Sequence, residues 1–232
     1  MDSNRPSLLI IEESPQRRSS LVEALTQLTN HQFELIETDQ ALKGLELARK
    51  RKPLAVFAHT HLPVLSGIDL CKLLKDDPKT QLIQITLLSS HPHPQEEIRA
   101  LNAGASAYLT YPLQASAITA QIEKFTSVET VSPQKSFECA DFLFDPVQKV
   151  VEYRGKQVRL TWTEFQILAC LAQSQGQVVS RQEILEKIWK DSAGTVTPRT
   201  IDVHVRALRK KIPDLSSQLH SRYGEGYRLE SN

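Results

Sequence analysis

Along the first 125 residues, short apolar runs alternate with stretches in which apolar side chains return every three or four positions. The runs Ser7–Ile11, Phe33–Glu37, Leu54–His59, Ile83–Leu88 and Ala107–Thr110 predict strands, and the intervening stretches near 15–29, 39–51, 66–76, 95–103 and 113–125 predict helices. Five strand-then-helix units predict an α/β architecture, a doubly wound (βα)5 parallel sheet covered on both faces. Such a sheet places its working site beyond the carboxyl ends of its strands.

The pattern then changes. Residues 126–136 are polar, contain Pro133 and show no periodicity, which predicts a linker between a first domain at 1–125 and a second at 137–232. Phe137–Phe144, Lys149–Tyr153 and Gln157–Leu160 read as antiparallel strands, with turns at Asp145-Pro146 and Arg154-Gly155. Three helices and a terminal hairpin around Gly224 and Gly226 follow. Two helix starts carry a hydroxyl and a carboxylate three residues apart, Thr161 with Glu164 and Ser180 with Glu183, the spacing of a capping box. Thr197-Pro198 opens the third helix, with proline where no N–H is needed.

In that third helix Ile201, Val205, Leu208 and Ile212 form one apolar stripe that must face a core. Arg199, Val203, Arg206 and Lys210 fall on the opposite side, with His204 and Arg209 on the flanks. A helix anchored on one side and cationic on the other suits the DNA major groove, where arginine reaches guanine edges or phosphates. On charge alone a solvated basic face is the favoured reading.

Composition does not decide between them. The chain has 232 residues, 40% hydrophobic and 24% charged, with a formal net charge of +1. Residues 137–232 hold 14 Lys and Arg against 12 Asp and Glu, so a nucleic-acid role must rest on a local patch. No apolar run reaches membrane-spanning length, and the amino terminus does not read as a signal peptide. Three scattered cysteines form no disulfide framework or zinc pattern, which suits a cytoplasmic protein.

Context favours DNA. Leu160–Phe165, Val179–Leu185 with Trp189, Arg199–Lys211 and Tyr223–Leu229 resemble, in order and spacing, the effector domain of OmpR/PhoB-family response regulators. The resemblance implies a winged helix-turn-helix with a recognition helix near 198–212. DNA contacts would come from Arg199, His204, Arg206, Arg209 and Lys210, with Arg222 in the wing. Thr161, Trp162 and Thr163 would approach the phosphate backbone through a helix start. Residues 190–197 match the loop that family members offer to RNA polymerase. Ala207 and Tyr223 stand where relatives often carry arginine.

The first 125 residues resemble a receiver domain through Pro53, Leu62-Pro63, Gly67, Gly104-Ala105, Tyr108 and Tyr111-Pro112. A receiver implies an aspartate nucleophile ending the third strand, a magnesium ion on an acidic pair, a hydroxyl ending the fourth strand and a lysine after the fifth. Here Glu12 and Glu13 replace the acidic pair, a tolerable change, and Ser89 keeps the hydroxyl. His59 stands at the nucleophile position and Tyr111 at the lysine position. The reading is therefore an atypical receiver, a regulator acting independently of aspartyl phosphorylation, and no enzyme. Ser106-Ala107, Ala117 and Gln121 replace charges that usually pair receivers, so a constitutive homodimer is expected through Ile98, Leu101, Tyr108, Leu109, Leu113, Ile118 and Ile122, some of them shared with the core.

Alternatives are a conventional phospho-responsive regulator and a metal-sensing or protein-interaction adaptor. No cofactor is required, but His59, His61 and His91 with Glu12 and Glu13 could converge around zinc, nickel or copper. The bland reading of the same residues is a polar pocket rim.

Overall fold

A computed structural model describes residues 5–126, 136–139, 141–145, 150–189, 198–212 and 214–230. The chain divides into two compact units, Met1–Phe125 and Thr126–Asn232.

The first unit follows the order β1 (Ser7–Ile11), α1 (Pro15–Thr29), β2 (Glu34–Thr38), α2 (Ala41–Arg51), β3 (Ala55–His59), α3 (Gly67–Asp76), β4 (Gln84–Ser89), α4 (Pro94–Asn102), β5 (Ala107–Thr110) and α5 (Ala115–Thr126). The strands pair in parallel in the order β2-β1-β3-β4-β5. Every residue of β1, β3 and β4 is buried, as a sheet covered on both faces requires. Because side chains alternate across the pleat, Leu9, Ile11, Val56, Ala58, Ile85 and Leu87 share one core with Leu70, Cys71 and Leu74 of α3. Leu8, Ile10, Ala55, Phe57 and Leu88 share the other with Leu21 and Leu25 of α1 and Ile118 and Phe125 of α5.

Local chemistry sets the boundaries. Ser14 caps α1 by accepting from the Arg17 backbone N–H, and Pro15 opens the helix. Ser66 caps α3 in the same way. Gly67 is obligatory there, since a Cβ would sit 2.1 Å from the His59 carbonyl oxygen. The chain thus turns back tightly against the end of β3.

The second unit opens with antiparallel β6 (Phe137–Cys139), β7 (Phe142–Asp145), β8 (Val150–Tyr153) and β9 (Lys156–Val158). The single strand expected at 137–144 is a hairpin instead, with Cys139 opposite Phe142. Asp141 makes the break: its carbonyl accepts from the Arg154 N–H and its carboxylate from the Arg154 guanidinium. Arg154 and Gly155 both take positive φ and turn β8 into β9. The Asp145-Pro146 turn and nearly all of the linker lie outside the described residues.

Helices α6 (Trp162–Gln173), α7 (Arg181–Trp189) and α8 (Arg199–Lys211) follow, with β10 (Val179–Ser180) before α7. Strands β11 (Leu219–Arg222) and β12 (Gly226–Leu229) form the terminal hairpin, and β10 pairs with β12. Both capping boxes form. Thr161 and Glu164 exchange side-chain-to-backbone hydrogen bonds, and so do Ser180 and Glu183. Pro198 occupies the cap position of α8, while Thr197 lies outside the described residues. Ile201, Val205, Leu208 and Ile212 join Phe165, Leu168, Trp189 and Leu229 in one core.

Gly226 is where β12 passes closest to β10: a Cβ there would lie 2.0 Å from the Val179 carbonyl oxygen. Gly226→Ala is expected to cost about 1–3 kcal/mol, the range for overpacking, and to loosen the terminal hairpin. Urea denaturation of the variant and wild type measures this, and equal midpoints would refute it.

Candidate nucleic-acid interface and the sheet-end pocket

The stripe that ties α8 into its core leaves Arg199, Arg206 and Lys210 exposed on the far side, at i, i+7 and i+11. The expected set changes at its flanks. His204 is 1% exposed. It sits three residues after Ile201 and four before Leu208, so helical geometry draws its ring to the buried side. Val203, expected among the cations, is also covered, at 8%.

Arg209 is half-buried and engaged by the hairpin. Its guanidinium donates to the Leu219 carbonyl at 2.6 Å and to Ser221 Oγ at 3.1 Å, binding α8 to β11. A second tie runs through Tyr227 of β12, whose hydroxyl donates to Asp202 of α8 at 2.6 Å. Arg181 of α7 completes it, 2.7 Å from the same Asp202 oxygen and stacked over the Tyr227 ring at 4.8 Å. Burial, then the Asp202 hydrogen bond, pushes the Tyr227 hydroxyl up to about 12. Sequence reading missed Asp202, Arg181 and Tyr227. The available signal was a single carboxylate in the first turn of an otherwise cationic helix.

The hairpin tip projects from this anchored base. Gly224 takes a φ of +71°, Arg222 is exposed, and Tyr223 is fully exposed at 105%. The start of α6 differs from expectation. Thr161, Trp162 and Thr163 are buried, with Trp162 stacked on Phe165 at 5.0 Å between ring centroids. Their side chains therefore serve the core and the cap. Glu164 also brings its own carboxylate to this helix start, where it pairs with Lys211 at 2.7 Å. The 190–197 loop lies outside the described residues.

At the carboxyl end of the parallel sheet, Glu12 is fully buried and already matched. The Arg17 guanidinium meets its Oε1 at 2.8 and 3.1 Å, and the Tyr111 hydroxyl donates to its Oε2 at 3.3 Å. Burial, with Glu12's charge next, pushes the Tyr111 hydroxyl above its ordinary range. Glu13 points outward, 3.8 Å from Arg17. The expected acidic pair is thus one buried carboxylate bound by an internal cation and one exposed carboxylate. Arg17 was not anticipated, although a cation five residues after Glu12, just inside a helix start, was visible in the chain.

His59 is buried at the end of β3. Its Nδ1 lies 2.8 Å from the His61 carbonyl and its Nε2 3.0 Å from Ser90 Oγ, so both ring nitrogens are engaged. His61 turns to the surface and brings its Nε2 within 3.6 Å of Glu96, while His91 is exposed. Among the described residues no group of three or more His, Cys, Asp or Glu is placed to hold a metal ion. His59, His61, His91, Glu12 and Glu13 do not converge: both carboxylates turn to Arg17, His59 to Ser90 and the His61 carbonyl, and His61 to Glu96.

Ser89 is likewise committed. Its hydroxyl donates to the buried Glu96 at 2.9 Å, and the Tyr108 hydroxyl donates to the same oxygen at 2.6 Å. One carboxylate on α4 therefore gathers β4 and β5. Burial raises the Glu96 carboxyl. Hydrogen bonds from Tyr108 and Ser89 and the nearby His61 and Arg99 outweigh that, leaving it below its ordinary value.

The surface expected to pair two copies is largely interior. Leu101, Leu109, Ile118 and Ile122 are buried. Ile118 and Ile122 recur four apart along α5 and meet Leu109 of β5 beneath the sheet. Only Ile98, Tyr108 and Leu113 remain partly exposed.

The family described as "Response regulator receiver domain" matches residues 8–123, and "Transcriptional regulatory protein, C terminal" matches residues 155–229. The phosphate regulon transcriptional regulatory protein PhoB of Rhizobium meliloti (strain 1021) is 30% identical over 236 residues, covering 97% of this chain and 99% of that protein. The DNA-binding dual master transcriptional regulator RpaA of Synechocystis sp. is 29% identical, covering 97% and 95%. Among solved structures, a mutant of RitR superposes with a TM-score of 0.74 at 21% identity, over 98% of this chain and 100% of that one. That last likeness speaks to fold alone. No helix among the described residues is long and apolar enough to cross a membrane.

The Glu96 cluster predicts a pH dependence. A carboxylate held below its ordinary value near 4.5 stabilises the fold fully above that value and loses this contribution as pH falls through the lower native one. Glu96→Gln is expected to lower stability at neutral pH by about 1 kcal/mol and to flatten the loss of stability on acidification. Urea denaturation across acidic pH tests this, and parallel profiles for the two proteins would sink it.

Proposed function

The chain belongs to the response regulators that join a receiver domain to a transcriptional regulatory C-terminal domain, and on that premise we propose that it is a DNA-binding regulator working without aspartyl phosphorylation. The observation that carries the DNA reading is the exposed row Arg199, Arg206 and Lys210 on a helix whose other side is locked into a core. Such a helix enters the major groove without rearranging, and its cations reach base edges or phosphates. Arg222 and Tyr223 at the tip of the anchored hairpin extend the same surface. Arg209 supports the hairpin from beneath.

Phosphorylation independence rests on chemistry. The receiver-type reaction needs a carboxylate nucleophile, a magnesium ion and a lysine beside the transferred phosphoryl group. At the corresponding places stand His59, with both ring nitrogens hydrogen-bonded, Glu12, already bound to Arg17, and Tyr111, which donates to Glu12. A magnesium ion would have to displace the Arg17 guanidinium from a buried carboxylate, so these residues do not fit the metal. Ser89, the remaining hydroxyl, is held by Glu96.

The regulator is expected to act as a homodimer, which sets two recognition helices on neighbouring half-sites. The partly exposed Ile98, Tyr108 and Leu113 are the members of the expected interface still available for pairing. RNA polymerase contact through residues 190–197 rests on family resemblance alone.

Arg199→Ala and Arg206→Ala in the full-length protein are each expected to weaken binding to a selected DNA site by about ten- to a hundredfold. Where the lost contact is to phosphate, the salt dependence should also flatten by about one ion. Fluorescence anisotropy with labelled duplex measures both, and wild-type affinity in both variants would remove the DNA reading. Acetyl phosphate is expected to leave DNA affinity and sedimentation unchanged. Tighter binding in its presence would overturn phosphorylation independence, and a purely monomeric full-length protein on DNA would overturn the dimer.

A further inference from the structure

We propose that a cleft in the second unit, between the β8–β9 hairpin and the carboxyl end of α8, binds a small phosphorylated organic molecule of nucleotide size. The cleft encloses about 600 Å³ and is lined by Tyr153, Arg154, Lys156, Arg159, Lys211 and Asp214, with Gln157 and Val158 between them. That volume is typical of sites for small organic ligands. Four cations and one carboxylate edge it, which sets the sign of the ligand's charge.

The cations are not equivalent. Arg154 is held by Asp141 at 2.8 Å, and Lys211 by Glu164 at 2.7 Å. Among the described residues the side chains of Lys156 and Arg159 have no hydrogen-bond or ion-pair partner. The cleft therefore has two structural cations holding its walls and two available ones at its edge. Guanidinium and ammonium groups meet phosphate oxygens through short charge-assisted hydrogen bonds, bidentate in the case of arginine. The negative end of the α8 dipole opposes an anion here, and Lys211 in the last turn offsets it.

Tyr153 belongs to the lining but is a core side chain, 6% exposed, with the Arg154 guanidinium over its ring at 5.1 Å. A lined volume of this size with two available cations at its edge suits a ligand with a flat or apolar body and a phosphate head. DNA itself is a poor occupant, since a duplex presents its phosphates on a convex surface. Consecutive helical residues differ by 100°, so Lys211 points away from the face that carries Lys210, Arg206 and Arg199. The cleft and the proposed DNA surface are thus separate, though they share α8.

The test uses full-length protein and isothermal titration calorimetry with ATP and, separately, pyrophosphate, both against matched ionic strength. Saturable binding of one ATP per chain is expected, tighter than pyrophosphate because the base and sugar occupy the lined volume. The double variant Lys156→Ser/Arg159→Ser should weaken ATP binding by about tenfold or more, equivalent to about 1.4 kcal/mol. Arg206→Ala should leave ATP binding intact while DNA binding falls, so a failure of the cleft and a failure of the DNA reading are distinguishable. Absence of saturable binding, equal affinity in the double variant, loss of binding in Arg206→Ala, or pyrophosphate binding as tightly as ATP would each overturn the proposal. So would displacement of ATP by a polyglutamate peptide at lower concentration than by GTP, which would mark the cleft as a seat for an acidic protein.

Discussion

The apolar stripe of α8 is the constraint on which the proposed DNA surface depends. Ile201, Val205, Leu208 and Ile212 are each fully buried, so the helix can neither roll nor slide without opening a core that also holds Phe165 and Trp189. With that rotation settled, Arg199, Arg206 and Lys210 have only one direction in which to point. The hairpin inherits its position from the same helix. Arg209 reaches from α8 to the β11 backbone, and Asp202 receives the Tyr227 hydroxyl from β12. Gly226 lets β12 run against β10 at a separation no other residue would allow. Helix and hairpin therefore form one preorganised surface, which keeps the entropic cost of binding low.

The end of the parallel sheet is built on the opposite plan. A low-dielectric interior tolerates charge only where it is paired. Glu12 has Arg17, Glu96 has Ser89 and Tyr108, and the His59 ring has Ser90 and the His61 carbonyl. The polar side chains at this end thus satisfy one another. In the second unit Arg199, Arg206 and Lys210 of α8 stay exposed.

Much of this was legible from spacing. The strand and helix runs of the first unit emerge within a residue or two of their expected limits, because central strands of a parallel sheet must be apolar throughout and their helices must repeat every three to four residues. The two capping boxes were readable for the same local reason. The candidate site was legible only in part. Arg199, Arg206, Lys210 and Arg222 lie where helical and hairpin periodicity put them. His204, Val203, Thr161, Trp162 and Thr163 are buried, Arg209 serves the hairpin, and four of the seven apolar residues expected at a dimer surface belong to the core. An apolar side chain on a predicted helix or edge strand gives no sign of whether its cover is the same chain or another copy.

The chain's own order of residues determined the elements, their caps and the two-sided character of α8, because these depend on neighbours no more than a few positions away. Tertiary structure alone decided which groups meet: that Arg17 takes Glu12, that Glu96 collects Ser89 and Tyr108, that Asp202 joins Arg181 and Tyr227, and that 137–144 folds back on itself. Those pairings span from a few residues to nearly a hundred along the chain, as with Tyr111 and Glu12. They are selected by the need to satisfy each charge and hydrogen bond in a closed interior. That requirement acts on positions in space, and periodicity along a sequence carries no record of it.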